Sequence, residues 1–154
     1  MPSEFLIDYT VWVFVSVLGA VQFVAAKSGL AGLLFFRTRR TASLLLAPLA
    51  VAASFAWFFG AGFRNLPDTG LGLDANTQAL WFALASAAAM TVTLALSSAL
   101  NHRWGADHGW SAASGEAPPE GIGWLERTTF ARALAARLTF YRAWRCRRAE
   151  TRDG

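Results

Sequence analysis

Cysteine is nearly missing from this chain: Cys146 stands alone among 154 residues. One thiol excludes an internal disulfide and any metal site built on paired cysteines. Its arginine neighbours would favour the thiolate, but an ordinary free thiol accounts for it equally. Histidine is almost as scarce. His102 and His108 both follow the last long apolar run, so paired haem ligation inside a membrane is not available. Charge is sparse, at 16% of residues, and Lys27 is the only lysine. No glycine-rich phosphate loop precedes a helix, and no serine nucleophile elbow is present. Internal repeats and lipidation motifs are also missing. The start, MPSEFLIDYT, carries Glu4 and Asp8 with no basic residue, the reverse of a secretory signal, so the first apolar segment is expected to be retained. These absences leave no constellation for catalysis and no cofactor site, and the chain reads as a non-enzyme.

What is present is apolar surface in long windows. Hydrophobic residues make up 55% of the chain, and mean hydropathy is +0.35 in spite of a charged C-terminal third. About 20 apolar residues cross a hydrocarbon core as a helix. Three windows meet that length, at about 9–36, 41–63 and 77–101. The expected fold is therefore an all-α integral membrane protein with a three-helix transmembrane domain over 1–101. The first window is longer than one crossing needs. Either it is strongly tilted, or it crosses by Ser28 and continues as an interfacial turn. Pro48 is expected to bend the second helix, and the aromatic run Phe55 to Phe59 resembles an interfacial belt. Gln22 is expected to make an interhelical hydrogen bond, and Lys27 to snorkel to the interface.

The third window carries small residues on two sides. Ala83, Ala87, Thr91, Ala95 and Ala99 recur every fourth residue, and Ala85, Ala89, Thr93 and Ser97 run along nearly the opposite side. Small-residue rows let helix backbones approach closely. The first row is the candidate helix-packing interface.

Orientation follows from arginine. Arg37, Arg39 and Arg40 follow the first window, and most of the remaining arginines lie beyond Asn101. Under the positive-inside rule both regions are cytoplasmic, which puts the N-terminus and the Pro67 loop outside. Arginine outnumbers lysine, and alanine, glycine and leucine abound, as in GC-rich bacterial genomes. The expected location is the bacterial cytoplasmic (inner) membrane, crossed several times.

Beyond the third window, 102–123 is rich in glycine and proline and reads as a flexible linker. Residues 124–148 favour a basic juxtamembrane helix, and 149–154 a frayed tail. Phe130, Leu134, Leu138, Tyr141 and Trp144 share one sector of that helix, but Arg127, Arg137, Arg145 and Arg148 fall in it too. Arg127, Arg137, Arg142, Arg145 and Arg148 are the candidate contacts to a membrane surface or a protein partner. Anionic lipid headgroups fit this pattern best, then an acidic protein; the membrane tether makes nucleic acid the weakest fit.

Two metal readings are available, from Asp68, Thr69, Asp74 and Asn76 in the loop, and from His102, Asp107 and His108 after the third window. Turn formation and capping explain the same residues without a metal, and no metal site is assigned. The chain is expected to be a small accessory or scaffold protein that packs against another membrane protein or itself. The alternative comes from a resemblance: three crossings, N-terminus out and C-terminus in, resembles the layout of class I phage holins, with no residue motif in common. That likeness implies a pore-forming or lysis protein.

Overall fold

The computed structural model describes residues 2–60, 74–105 and 121–150 of the chain. All regular structure among them is helical: α1 (Pro2–Ser28), α2 (Arg40–Gly60), α3 (Ala75–Leu100) and α4 (Phe130–Glu150). Short 3-10 turns at Ala31–Leu33, Arg37–Arg39 and Gly123–Glu126 join them. Three helices are long and apolar enough to cross a membrane, at Glu4–Ser28, Arg37–Gly60 and Ala75–Leu100.

The first helix begins at Pro2, earlier than the sequence pattern places it, and stops at Ser28. The reason for the stop is local. Gly29 adopts a left-handed φ of 77°, a conformation that glycine tolerates and that ends helices. The Leu30 N–H then reaches back to the Ala25 carbonyl at 3.0 Å, and Leu30 and Ala25 share one buried apolar cluster. This is the hydrogen bond and the apolar contact of a Schellman stop. Of the two readings of the long first window, the structure has the helix that ends at Ser28 and is followed by a turn. The second helix continues through Pro48.

α1 lies between α2 and α3. It runs antiparallel to α2 and parallel to α3, as the paired residues show. Trp12 stacks on Phe58 at 4.7 Å and 16°. One turn further, the Ser16 and Ser54 hydroxyls are 2.9 Å apart. Ser54 also donates to the Val51 carbonyl at 2.7 Å, which leaves Ser16 to donate to Ser54. At Gly19 the backbones approach closely: a Cβ there would stand 2.8 Å from Val51 Cγ2 and 3.0 Å from the Ala47 carbonyl. On the other side, Tyr9 and Val13 pack with Ala85, and Ala25 and Ala26 share a cluster with Leu94. The aromatic residues expected as a belt mostly pack on one another. Trp12 has Phe55 and Phe59 against it edge-on, at 5.1 and 5.3 Å, while Trp57 stays 43% exposed.

Of its two small-residue rows, α3 buries one against α1. Ala85, Ala89, Thr93 and Ser97 are buried, at 3%, 0%, 0% and 0% exposure. Thr93 donates to the Ala89 carbonyl at 2.8 Å, so its hydroxyl is satisfied inside its own helix and the residue packs as a small apolar one.

The start of α3 is capped by Asp74. One carboxylate oxygen accepts from the backbone N–H of Asn76 and Thr77 at 2.9 and 3.1 Å. The other accepts from the Thr77 hydroxyl at 2.5 Å. The Thr77 hydroxyl, then the Thr77 and Asn76 amides, hold the Asp74 carboxyl below its ordinary value of 3.8. A lowered folded pKa stabilises the cap fully above that value, and the contribution disappears as pH falls through the folded value. At neutral pH, Asp74→Ala should speed amide hydrogen exchange at residues 76–78, and Asp74→Asn should have a smaller effect. The wild-type chain should approach the alanine variant only below the ordinary aspartate range.

Candidate functional site

Beyond Ser28 the chain leaves helix while still among buried residues. Leu30, Leu33 and Leu34 are buried, and Leu34 is 2% exposed. Non-helical backbone at this depth needs partners for its polar groups. Two amide side chains supply them. Gln22 of α1 donates from Nε2 to the Leu33 carbonyl at 2.8 Å and accepts the Phe35 N–H on Oε1 at 3.0 Å. Asn101, just past α3, donates from Nδ2 to the Leu34 carbonyl at 2.8 Å and to the Ser97 carbonyl at 2.9 Å. Two successive peptide units, 33–34 and 34–35, are thus held by one side chain from α1 and one from just past α3. Gln22, expected to bond another helix, instead bonds the backbone of this turn.

The free carbonyls of the helix ends at this side are met by arginine. Arg40 Nε donates to the Ala26 carbonyl at 2.6 Å and Nη2 to Lys27 at 3.1 Å, at the end of α1. Arg132 donates twice to the His102 carbonyl, at 3.2 and 2.7 Å, just beyond the end of α3. Both place positive charge at the negative end of a helix dipole. The first turn of α4 is met from α3: the Ala131 N–H donates to Ser98 Oγ at 3.2 Å.

The segment before α4 is docked. Trp124, Leu125, Thr128 and Thr129 are buried, and Leu125 joins the cluster of Leu30, Leu33 and Leu34. Two glycines make room for it. A Cβ on Gly32 would collide with the Thr128 carbonyl. A Cβ on Gly105, at φ 77°, would stand 2.7 Å from the Arg127 carbonyl. Arg37 lies over the Trp104 ring at 4.8 Å. The residues expected to start the basic helix at 124 therefore form a 3-10 turn packed on the core, and the helix begins at Phe130. The two arginine-bearing regions, 37–40 and α4, sit at the same end of the helices.

The residues singled out from sequence separate into groups. Ala83, Ala87, Thr91, Ala95 and Ala99 are all exposed, opposite the row buried on α1. The stripe is not uniform, because Thr91, Ala95 and Ala99 line a groove of about 480 Å³ whose other wall is Phe130, Ala131 and Leu134 of α4. Ala83 and Ala87 lie beyond it. Among the arginines, Arg127, Arg142 and Arg145 are exposed, and half-buried Arg137 lies over the Trp124 ring at 5.8 Å. The side chain of Arg148 lies outside the described residues, as do Asp68, Thr69, Asp107 and His108. Asn76 gives its N–H to the Asp74 cap, and His102, in the turn just past α3, has its ring nitrogen 3.0 Å from the Ala99 carbonyl.

Sequence reading did not single out Asn101, Arg40, Ser98, Gly19 or Gly105 for these roles. Asn101 carried a signal, being a strongly polar amide at the exact end of an apolar run. Compared with protein-family models, curated protein sequences and solved structures, the chain matches none.

The amide pair gives a direct test. Gln22→Leu preserves volume but leaves the Leu33 carbonyl and the Phe35 N–H unpaired, at about 1–3 kcal/mol for each buried group. The thermal unfolding midpoint of the detergent-solubilised chain should fall clearly. Asn101→Leu should lower it less, because among the turn's groups it strands one carbonyl rather than two groups.

Proposed function

We propose that this chain is a non-catalytic accessory or scaffold protein of the bacterial inner membrane. It crosses three times, with the N-terminus outside and the C-terminus in the cytoplasm, and it packs against other membrane helices through α3. The observation that carries this reading is the unequal use of α3. One small-residue row is buried on α1, and the opposite row is exposed among large apolar neighbours, including Leu80, Phe82 and Leu84. Hydrocarbon gives no hydrophobic force between helices, so close packing between small residues is a main source of association. The orientation is supported by the two arginine clusters lying at one end, where the positive-inside rule puts them in the cytoplasm. The exposed arginines of α4 then meet anionic headgroups or an acidic partner.

Pore formation, as in holins, draws on the three-crossing layout. A pore needs polar residues along a helix face. On the exposed side of α3, between Leu80 and Leu100, the polar side chain in the stripe is Thr91, and its hydroxyl is spent on the Ala87 carbonyl at 2.8 Å. The scaffold reading therefore has the stronger support.

Ala83→Leu with Ala87→Leu separates helices that meet at this stripe. In protein extracted from native membranes with mild detergent, the double variant should lose a co-purifying helix partner or drop in oligomer size while its own helicity persists. Unchanged size and unchanged companions would remove α3 as the interface. Induced expression should leave the membrane potential intact. Rapid depolarisation would instead favour the pore.

A further inference from the structure

The groove between α3 and α4 has a definite direction. Thr91 lies seven residues before Ser98, about 10 Å along the helix, yet it lines the same space as Leu134. The face of α4 that carries Leu134 therefore looks back along α3 and not away from it. Leu138 and Tyr141 follow on that face at helical spacing, and they are 50% and 57% exposed. With α3 crossing a bilayer, this face overhangs the acyl chains of one leaflet.

The charge on α4 beside and beyond the groove, from Phe130 to Arg145, has one sign. α4 contains no acidic residue from Phe130 to Arg145. Arg132 is engaged with the His102 carbonyl and Arg137 with Trp124. Arg142 and Arg145 are exposed, one helical turn beyond Leu138 and Tyr141 as i, i+4 neighbours. An apolar wedge followed along α4 by two exposed arginines matches a molecule with a hydrocarbon tail and an anionic head. Guanidinium groups also bind phosphate oxygens in a bidentate way.

We propose that the α3–α4 groove binds one phospholipid of net negative charge. An acyl chain fills the wedge against Ala95, Phe130 and Leu134, and the phosphate sits on Arg142 and Arg145. The inference rests on the membrane reading above but not on any partner for Ala83 and Ala87.

The experiment uses the full chain in mild detergent, with phosphatidylglycerol or phosphatidylcholine of matched acyl chains added, and native mass spectrometry to count retained lipids. One phosphatidylglycerol per chain should be retained, roughly tenfold or more in preference to phosphatidylcholine. Arg142→Gln with Arg145→Gln should abolish the preference, and Arg142→Lys with Arg145→Lys should keep most of it. Ala95→Phe should reduce retention of both lipids by occupying the wedge. Equal retention of the two lipids by the wild-type chain would overturn the proposal, as would a preference that survives both the glutamine pair and Ala95→Phe. A dimer mass that Ala95→Phe converts to monomer, with no lipid retained, would assign the groove to a second copy and also overturn it. Incorporation of the chain into pure phosphatidylcholine vesicles is scored separately. Failure there counts against the membrane reading itself, whereas loss of headgroup preference alone counts against the groove.

Discussion

Two amide side chains hold a stretch of backbone whose own structure goes little beyond one short 3-10 turn. Between α1 and α2 the chain turns through residues 29–36 while Leu30, Leu33 and Leu34 remain buried. Water cannot solvate peptide groups at that depth, and a helix there would carry the chain onward without turning it back. Gln22 and Asn101 resolve the conflict by pairing with the groups of residues 33–35. Because one amide belongs to α1 and the other follows α3, the same three bonds also set how those helices sit relative to the turn. Leu125 packs on the underside of this turn, so the approach to α4 depends on it as well.

Packing elsewhere follows from side-chain size. α1 accepts a neighbour on each side because small groups stand at its closest crossings: Gly19 toward α2, and Ala25 and Ala26 in the cluster shared with Leu94. Large aromatic rings are gathered at the opposite end, where Phe5, Tyr9, Trp12 and Phe58 fill the space between α1 and α2. Close contact at one end and bulky rings at the other give the pair a fixed register. The side-chain hydrogen bond between them, Ser16 to Ser54, contributes only on the order of 1 kcal/mol or less.

Much of this was legible from residues alone, for reasons that can be stated. The three apolar windows declare helices because a chain that buries its backbone in hydrocarbon has few alternatives. Asp74 and Asn76 were both legible as caps for α3, and the structure gives the role to Asp74, whose carboxylate meets orphan amide groups two residues earlier than the apolar run suggests. The two rows of small residues on α3 were legible as rows, but which of them is covered was not. Both have the same chemistry, and the choice depends on where α1 lies. The centrality of α1 was hidden because its contacts are spread over glycine, alanine and aromatic residues with no single period. Arg40 and Arg132 read only as positive charge, since bonding to a helix-end carbonyl depends on the path of the turn before it. The start of α4 was misplaced for a related reason: Trp124 and Leu125 fit a helix by propensity, but burial against Gly32 and the Leu34 cluster took precedence.

The order α2, α1, α3 makes the three long apolar helices a single layer, with one interior member and two edges. In a β-sheet an edge strand recruits others because its bonding groups are unspent. Here the edges are unspent in shape: α2 has one side against α1 and one side open, and α3 has one side against α1 and the other faced by α4 only from Thr91 onward, while α1 has a helix on each side. Growth of such a layer is lateral and leaves its middle undisturbed. A helix added beside α3 at Ala83 and Ala87, beyond the part faced by α4, would extend the row without breaking a contact that the chain already makes, and the Gln22 bonds inside the layer would be untouched.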